Sequence, residues 1–237
     1  MRTLVLLVWL SVCTTALASG LEPQPGRFDR EGIPYQGGDR DVCWSEPPLI
    51  SRLGGSSEII SMYGVESKVA NDFVVAEPFH ITRVRWWGNY YQYSPGYPMG
   101  FPINLQFYTD AAGIPGTLLF EFPCVDGHDV LIHDFGADLI FEQWADVNGP
   151  CMGVGTYWFV AQCCDHPFPP QYARVAAQVV TGATSMFWSP FFGYPEWTPT
   201  DVIWGEAWDA SQEFECEPCD PTAVSPSSWG RIRALYH

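Results

Sequence analysis

This sequence predicts an all-β fold, an antiparallel β-sandwich of jelly-roll type followed by a short C-terminal helical tail. Three observations carry that expectation. Short runs dominated by Val, Ile, Tyr, Phe and Trp succeed one another, Gly, Pro, Asn and Asp separate them, and few windows sustain a helical period beyond two turns. Strands of this kind bury their apolar faces when two sheets pack against each other.

The chain opens MRTLVLLVWLSVCTTALASG, with Arg2 ahead of the apolar run from Leu4 to Leu10 and small residues closing at Ala18. That is the layout of a secretory signal peptide, so residues 1–18 are expected to be removed. The run falls short of the roughly 20 apolar residues of a spanning helix, and no later segment approaches that length. The protein is therefore expected to be secreted, extracellular or at the cell surface, with the periplasm as the other compartment that fits, and to have no membrane span. Residues 19–42, rich in Gly, Pro and charge, read as an extended leader.

Residues 43–217 carry the sandwich. The runs DFVV, ITRVRWWG, INLQFYTD, TLLFEF, VLIHDFG, TYWFVAQ, ARVAAQVV, MFWS and VIWGEAW give nine strand candidates. ADLIFEQWADV, from Ala137 to Val147, fits one short helix instead. Residues 218–237 form a polar, proline-bearing spacer and then SWGRIRALYH. There a Ser227 or Ser228 cap and a helical turn put Trp229, Ile232, Leu235 and Tyr236 on one side. This tail either docks on its own domain or contacts an export or attachment partner.

The formal charge is −16, and Lys68 is the single lysine. Nucleic acid and anionic membrane are disfavoured as partners, because both would meet repulsion instead of releasing counterions.

Beyond Cys13 the cysteines are Cys43, Cys124, Cys151, Cys163, Cys164, Cys216 and Cys219. In an oxidising compartment they form up to three disulfides and leave one thiol. Cys124 and Cys151 each end a strand-like run and bracket one compact excursion, so they are the expected bridge, and Cys216 is expected to reach Cys163 or Cys164. The alternative is a zinc site built from Cys163, Cys164, His166, Cys216 and Cys219, since Cys-Glu-Pro-Cys has zinc-knuckle spacing.

No Gly-x-Ser-x-Gly elbow, His-Glu-x-x-His pair or phosphate-binding glycine loop occurs. His128 and His133 lie five apart, on opposite faces of a strand unless a bulge intervenes, and Asp126-Gly127 reads as a turn. Glu213, Glu215 and Glu217 alternate onto one face and come nearest to the paired carboxylates of a glycosidase, although the compact array of the laminarinase-like enzymes is not reproduced. The protein is thus expected not to be an enzyme, with a glycoside hydrolase as the third reading. The sequence otherwise offers no cofactor but a structural calcium ion at Asp72, Asp110 and Asp209, near strand ends.

The stretch WWGNYYQYSPGYPMGF, Trp86 to Phe101, contains seven aromatic residues in sixteen. Alternation puts Arg83, Arg85 and Trp87 on one face and Thr82, Val84 and Trp86 on the other. Arginines avoid unpaired burial, so Trp86 is expected in the core and Trp87 towards solvent or a covering loop. Tyr90, Tyr91, Tyr93 and Tyr97 then fall in a glycine- and proline-punctuated loop. A second group, Met186 to Pro199, contributes Phe191, Tyr194 and Trp197. Should the two loops meet, they would line a groove for a glycan or another cell-surface ligand, with Asn89, Gln92 and Glu196 to hydrogen-bond hydroxyls. The other reading is a structural or surface-attached protein whose aromatic loops pack internally.

ANDFVV, ITRVRWWGNYY, INLQFYTDAAGIPG and GTYWFVAQ resemble the recurring blocks of a poorly characterised family of secreted bacterial β-sandwich domains, which read Ala-Asp-Asp-Phe, then Trp-Gly-x-Tyr, then Gly-x-Pro-Gly. Asn71 stands where the first Asp of that pattern would be. The resemblance spans about Val69 to Val160 and implies an extracellular jelly-roll-like module, with no catalytic residues to carry over.

Overall fold

The computed structural model describes residues 33–34, 42–51, 54–136 and 138–219. The expected signal peptide, most of the leader and the tail from residue 220 lie outside them. In chain order the strands begin β1 (Ile33–Pro34), β2 (Val42–Glu46), β3 (Leu49–Ile50), β4 (Gly54–Ser56), β5 (Ile59–Ile60) and β6 (Val65–Glu66). The long ones follow: β7 (Lys68–Val75), β8 (Phe79–Tyr91), β9 (Ile103–Asp110), β10 (Pro115–Val125), β11 (His128–Asp134) and β12 (Leu139–Asp146). The chain then forms β13 (Cys151–Met152), β14 (Gly155–Cys163), β15 (Gln171–Val175), β16 (Met186–Ser189), β17 (Tyr194–Pro199), the helix α1 (Thr200–Trp204) and β18 (Gln212–Pro218).

Two antiparallel sheets pack face to face. One has six strands in the order β10-β9-β14-β7-β16-β17. The other has eight, built on β11-β12-β8-β15-β4, with β13 and β18 also bonded to β8 and β2 to β18. Strand alternation explains the core between them. Phe73, Phe107 and Phe159 from the first sheet meet Val84, Trp86, Tyr90, Phe141 and Phe214 from the second, with Phe73 and Phe214 ring centres 4.8 Å apart. A bulge on β8, where Glu215 pairs with Arg83 but Cys216 with Ile81, restores the parity that lets both Ile81 and Val84 face this core.

Two elements differ from the sequence expectation. Leu139–Asp146, read as a helix, is β12, because pairing to β8 on one side and β11 on the other satisfies its backbone and buries Leu139 and Phe141 in the core. Conversely VIWGEAW is no strand: Thr200–Trp204 is a helical turn closed by Gly205 in the left-handed region, and the chain re-enters the sheet only at Gln212.

The disulfides also differ. Cys43 bonds to Cys216, Cys124 to Cys164 and Cys151 to Cys219, while Cys163 is a buried free thiol. The expected Cys124–Cys151 bridge fails because Cys124 lies on the six-stranded sheet and Cys151 beside His80 on the other. Cys216 faces β2 through the β18 pairing, out of reach of Cys163 and Cys164 at the end of β14. The zinc set of Cys163, Cys164, His166, Cys216 and Cys219 is dispersed for the same reason. Cys43–Cys216 closes a loop with a sequence separation of 173 and ties the first long stretch of the domain to its last strand.

Candidate functional site

The segment from Trp86 is the closure of the core. Trp86 is fully buried and donates from its indole to Gln143 Oε1 at 2.9 Å and to the Tyr172 hydroxyl at 3.0 Å. Gly88 makes this possible, since a Cβ there would sit 2.3 Å from Gln143 Oε1 and 2.5 Å from the Tyr172 hydroxyl. Trp87 keeps the parity the sequence assigns to it but not the exposure: Ile50, Ile140 and Val175 enclose it on the far face of the sheet. Its neighbour Arg85 is tolerated there because it is paired, Nε lying 3.2 Å from Glu213 and an outer nitrogen 3.2 Å from Glu215, with Glu142 a third partner. Glu213 and Glu215, the glycosidase candidates, are thus held by a guanidinium on an outer sheet face. Asn89 is buried, and Tyr90 is a core residue whose hydroxyl accepts from the Gly100 and Phe101 amides at 3.1 and 3.3 Å. Tyr91 and Tyr93 are half-buried, Tyr93 against the core, and Tyr97 alone of the expected tyrosines is exposed.

The second aromatic group is not a loop. It forms the hairpin β16–β17, whose two faces have separate fates. Phe187 and Tyr194 pack inward with Val69 and Trp208, and Phe191 stands at the exposed tip against Phe192. On the outer face of the six-stranded sheet, Ala70, Tyr108, Trp158, Val160 and Met186 form a separate cluster onto which Trp197 packs. Trp197 lies 6.0 Å from the Tyr108 ring and 6.5 Å from Trp188, and Lys68 Nζ sits 5.2 Å over Trp188. Polar groups border these rings. The Tyr108 hydroxyl donates to Gln106 Oε1 at 2.9 Å, Gln106 Nε2 donates to Glu121 at 3.2 Å, and Lys68 is 3.4 Å from Glu66. Burial, with Glu121 and Glu66 nearby, pushes the Tyr108 phenol up to about 12, so it remains a neutral donor.

The loop 92–101 and the hairpin tip lie at the same end of the sandwich, but they do not form one groove. Phe101 stacks on His166 and Phe192 packs beside Ile60, Val65 and Phe168, so the chain around 166–168 stands between them. Of the rings named from sequence, Trp197 belongs to the outer row; Tyr108, Trp188, Gln106 and Lys68 were missed. Strand alternation in INLQFYTD and MFWS was the signal, since it puts Gln106 with Tyr108 and sets Trp188 opposite in face to Phe187.

Asp72, Asp110 and Asp209 do not converge on one ion. Among the described residues only His80, Cys151 and Cys219 bring three ligand atoms within 4.8 Å of one another. Asp110 accepts from the Trp158 indole, Asp72 from the Ala183 amide, and Asp209 from the Thr181 and Ser185 amides at 2.6 and 3.2 Å. Together with Glu46, which accepts from Asn71 and Thr181, Asp72 and Asp209 pin the segment that enters β16. Burial pushes the Asp209 carboxyl up to about 8 and that of Glu46 up to about 7. The bulge allowed for in β11 is present, after Leu131, yet His128 stacks on Trp144 and His133 packs at a tilt against Phe135.

Fold and geometry define a disulfide-bonded β-sandwich with an aromatic outer face. Comparison with protein-family models, with curated proteins and with solved structures found no match. No helix among the described residues is long and apolar enough to cross a membrane.

Proposed function

We propose that this protein is a secreted, non-catalytic β-sandwich module that binds a neutral glycan on the outer face of its six-stranded sheet. The observation that carries the reading is the half-buried pair Trp188 and Trp197, packed over the buried Tyr108 and Gln106 and bordered by Lys68 and Glu121, rings next to fixed hydrogen-bonding groups. Sugar rings stack through their C–H faces on such surfaces while their hydroxyls meet the polar border. Glu66 and Glu121 beside Lys68, and a formal charge of −16 overall, favour an uncharged ligand over a sulfated or uronic one. The blocks resembling secreted bacterial sandwich domains and the signal-peptide pattern support the same setting.

A second reading, a structural extracellular protein, draws support from the internal packing of Trp86, Trp87 and Tyr90. A glycan array probed with the mature protein and with Trp188→Ala and Trp197→Ala separates the two. Binding by the parent that both variants lose, at nearly unchanged melting temperature, is the expected result. Binding retained by both variants would sink the outer-face site, and absence of binding by the parent would favour the structural reading.

A further inference from the structure

His80, Cys151 and Cys219 meet on the eight-stranded sheet, away from the aromatic face. Cys151 on β13 stands directly opposite His80 on β8, and on the other side of β8 His80 pairs with Glu217, two residues before Cys219. A ring nitrogen of His80 and the two sulfurs all lie within 4.8 Å of one another. In this structure the sulfurs are joined as a disulfide. A second observation concerns the imidazole itself. Nδ1 of His80 is 3.2 Å from the Gly149 carbonyl oxygen, which can only accept, so Nδ1 donates there and Nε2 is the nitrogen that turns to a metal. A backbone carbonyl holding the non-ligating nitrogen is the usual support of a metal-binding histidine.

We infer that reduction of the Cys151–Cys219 disulfide opens a zinc site with His80, Cys151 and Cys219 as its protein ligands. Two equivalents of an external thiol reduce the bond, giving two protein thiols and one external disulfide. Zn²⁺ then replaces the two thiol protons, which leave to solvent. Tetrahedral zinc with sulfur at about 2.3 Å and nitrogen at about 2.0 Å holds its ligand atoms roughly 3.5–3.8 Å apart. The sulfurs therefore separate from bonding contact while the imidazole needs to close by only about 1 Å. Residues directly opposite on neighbouring strands share a face, so the exposed Glu217 carboxylate or a water takes the fourth position. Cys151 is exposed, which admits both the reductant and the metal.

The test is a Co²⁺ and then Zn²⁺ titration of the full chain, oxidised and after thiol reduction. The oxidised protein is expected to bind no metal at this corner. The reduced protein is expected to take up one Co²⁺ with a thiolate charge-transfer band, to exchange it for Zn²⁺, and to expel the metal on reoxidation. His80→Ala should weaken binding about tenfold or more, and Cys151→Ser should abolish the band. Equal affinity in the reduced parent and His80→Ala would overturn the inference, because thiols freed from the other two disulfides would then be the ligands. Cys151→His covers the case in which full reduction unfolds the chain, since it removes this disulfide alone and sets a second imidazole beside His80 and Cys219. One Zn²⁺ bound without reductant supports the site; none bound, with native circular dichroism, overturns it.

Discussion

Trp86 to Phe101 and Met186 to Pro199 share a composition, rings punctuated by glycine and proline, yet they serve the fold in different ways. The first begins in β8, a central strand flanked by β12 on one side and by β15 and β18 on the other, so its rings are covered from both faces of the sheet. The second is a hairpin at the edge of the six-stranded sheet, with only one strand, β7, on its inner side. An edge hairpin leaves the outer faces of Trp188 and Trp197 half-buried, where β8 leaves none of Trp86, Trp87 or Tyr90 accessible. Position in the sheet, more than the number of rings, decides whether an aromatic segment is core or surface.

The sharpest way to break that contrast is Trp86→Ala, which should cost about 3–5 kcal/mol in a urea unfolding curve, since it removes a fully buried indole and takes one donor from Gln143 and Tyr172, which keep their hydrogen bond to each other. A loss below about 1 kcal/mol would mean that β8 is not the core strand described here.

Next in size is a difference in pH response. Loop 92–101 hangs on the Tyr90 hydroxyl, whose pKa burial pushes further above its ordinary value, so it stays neutral across the working range. The segment entering the hairpin hangs on Glu46 and Asp209, raised by burial to about 7 and about 8. Carboxyls raised in the folded state bind protons that the unfolded chain releases from about pH 4 upward, so folding is favoured at low pH and stability falls as pH rises through the window up to those folded values. The two groups together should give a slope of about 2–2.5 kcal/mol per pH unit between pH 5 and 7, and Asp209→Asn should roughly halve it in melts across that range. A slope unchanged by the substitution would remove Asp209 from this role.

Smallest is the stability effect of Trp197→Ala, about 1 kcal/mol or less in thermal melts, despite the size of the ring removed, because it is only partly covered. A loss equal to that of Trp86→Ala would make the hairpin as much core as β8 and erase the distinction.

Much of this was legible in the sequence. Alternating apolar runs with turn residues between them force an all-β answer, and parity along TRVRWW places Trp86 inward and Trp87 outward, as found. The helix expected at Ala137 to Val147 failed because a period of two or three apolar residues cannot outweigh two neighbouring strands that satisfy its backbone. Trp87 looked exposed because it shares a face with Arg83 and Arg85, and the sequence does not reveal that Glu142, Glu213 and Glu215, remote along the chain, surround Arg85.

By itself, then, the sequence determined the class of fold, the inward and outward parity of its strands and a cysteine set suited to three bridges, because each follows from spacing along a local stretch of chain. Tertiary structure alone decided which cysteines pair, which arginine is neutralised and which of two aromatic segments faces outward. Those outcomes depend on strand order, and strand order brings together residues such as Cys43 and Cys216, 173 positions apart, that no local pattern connects.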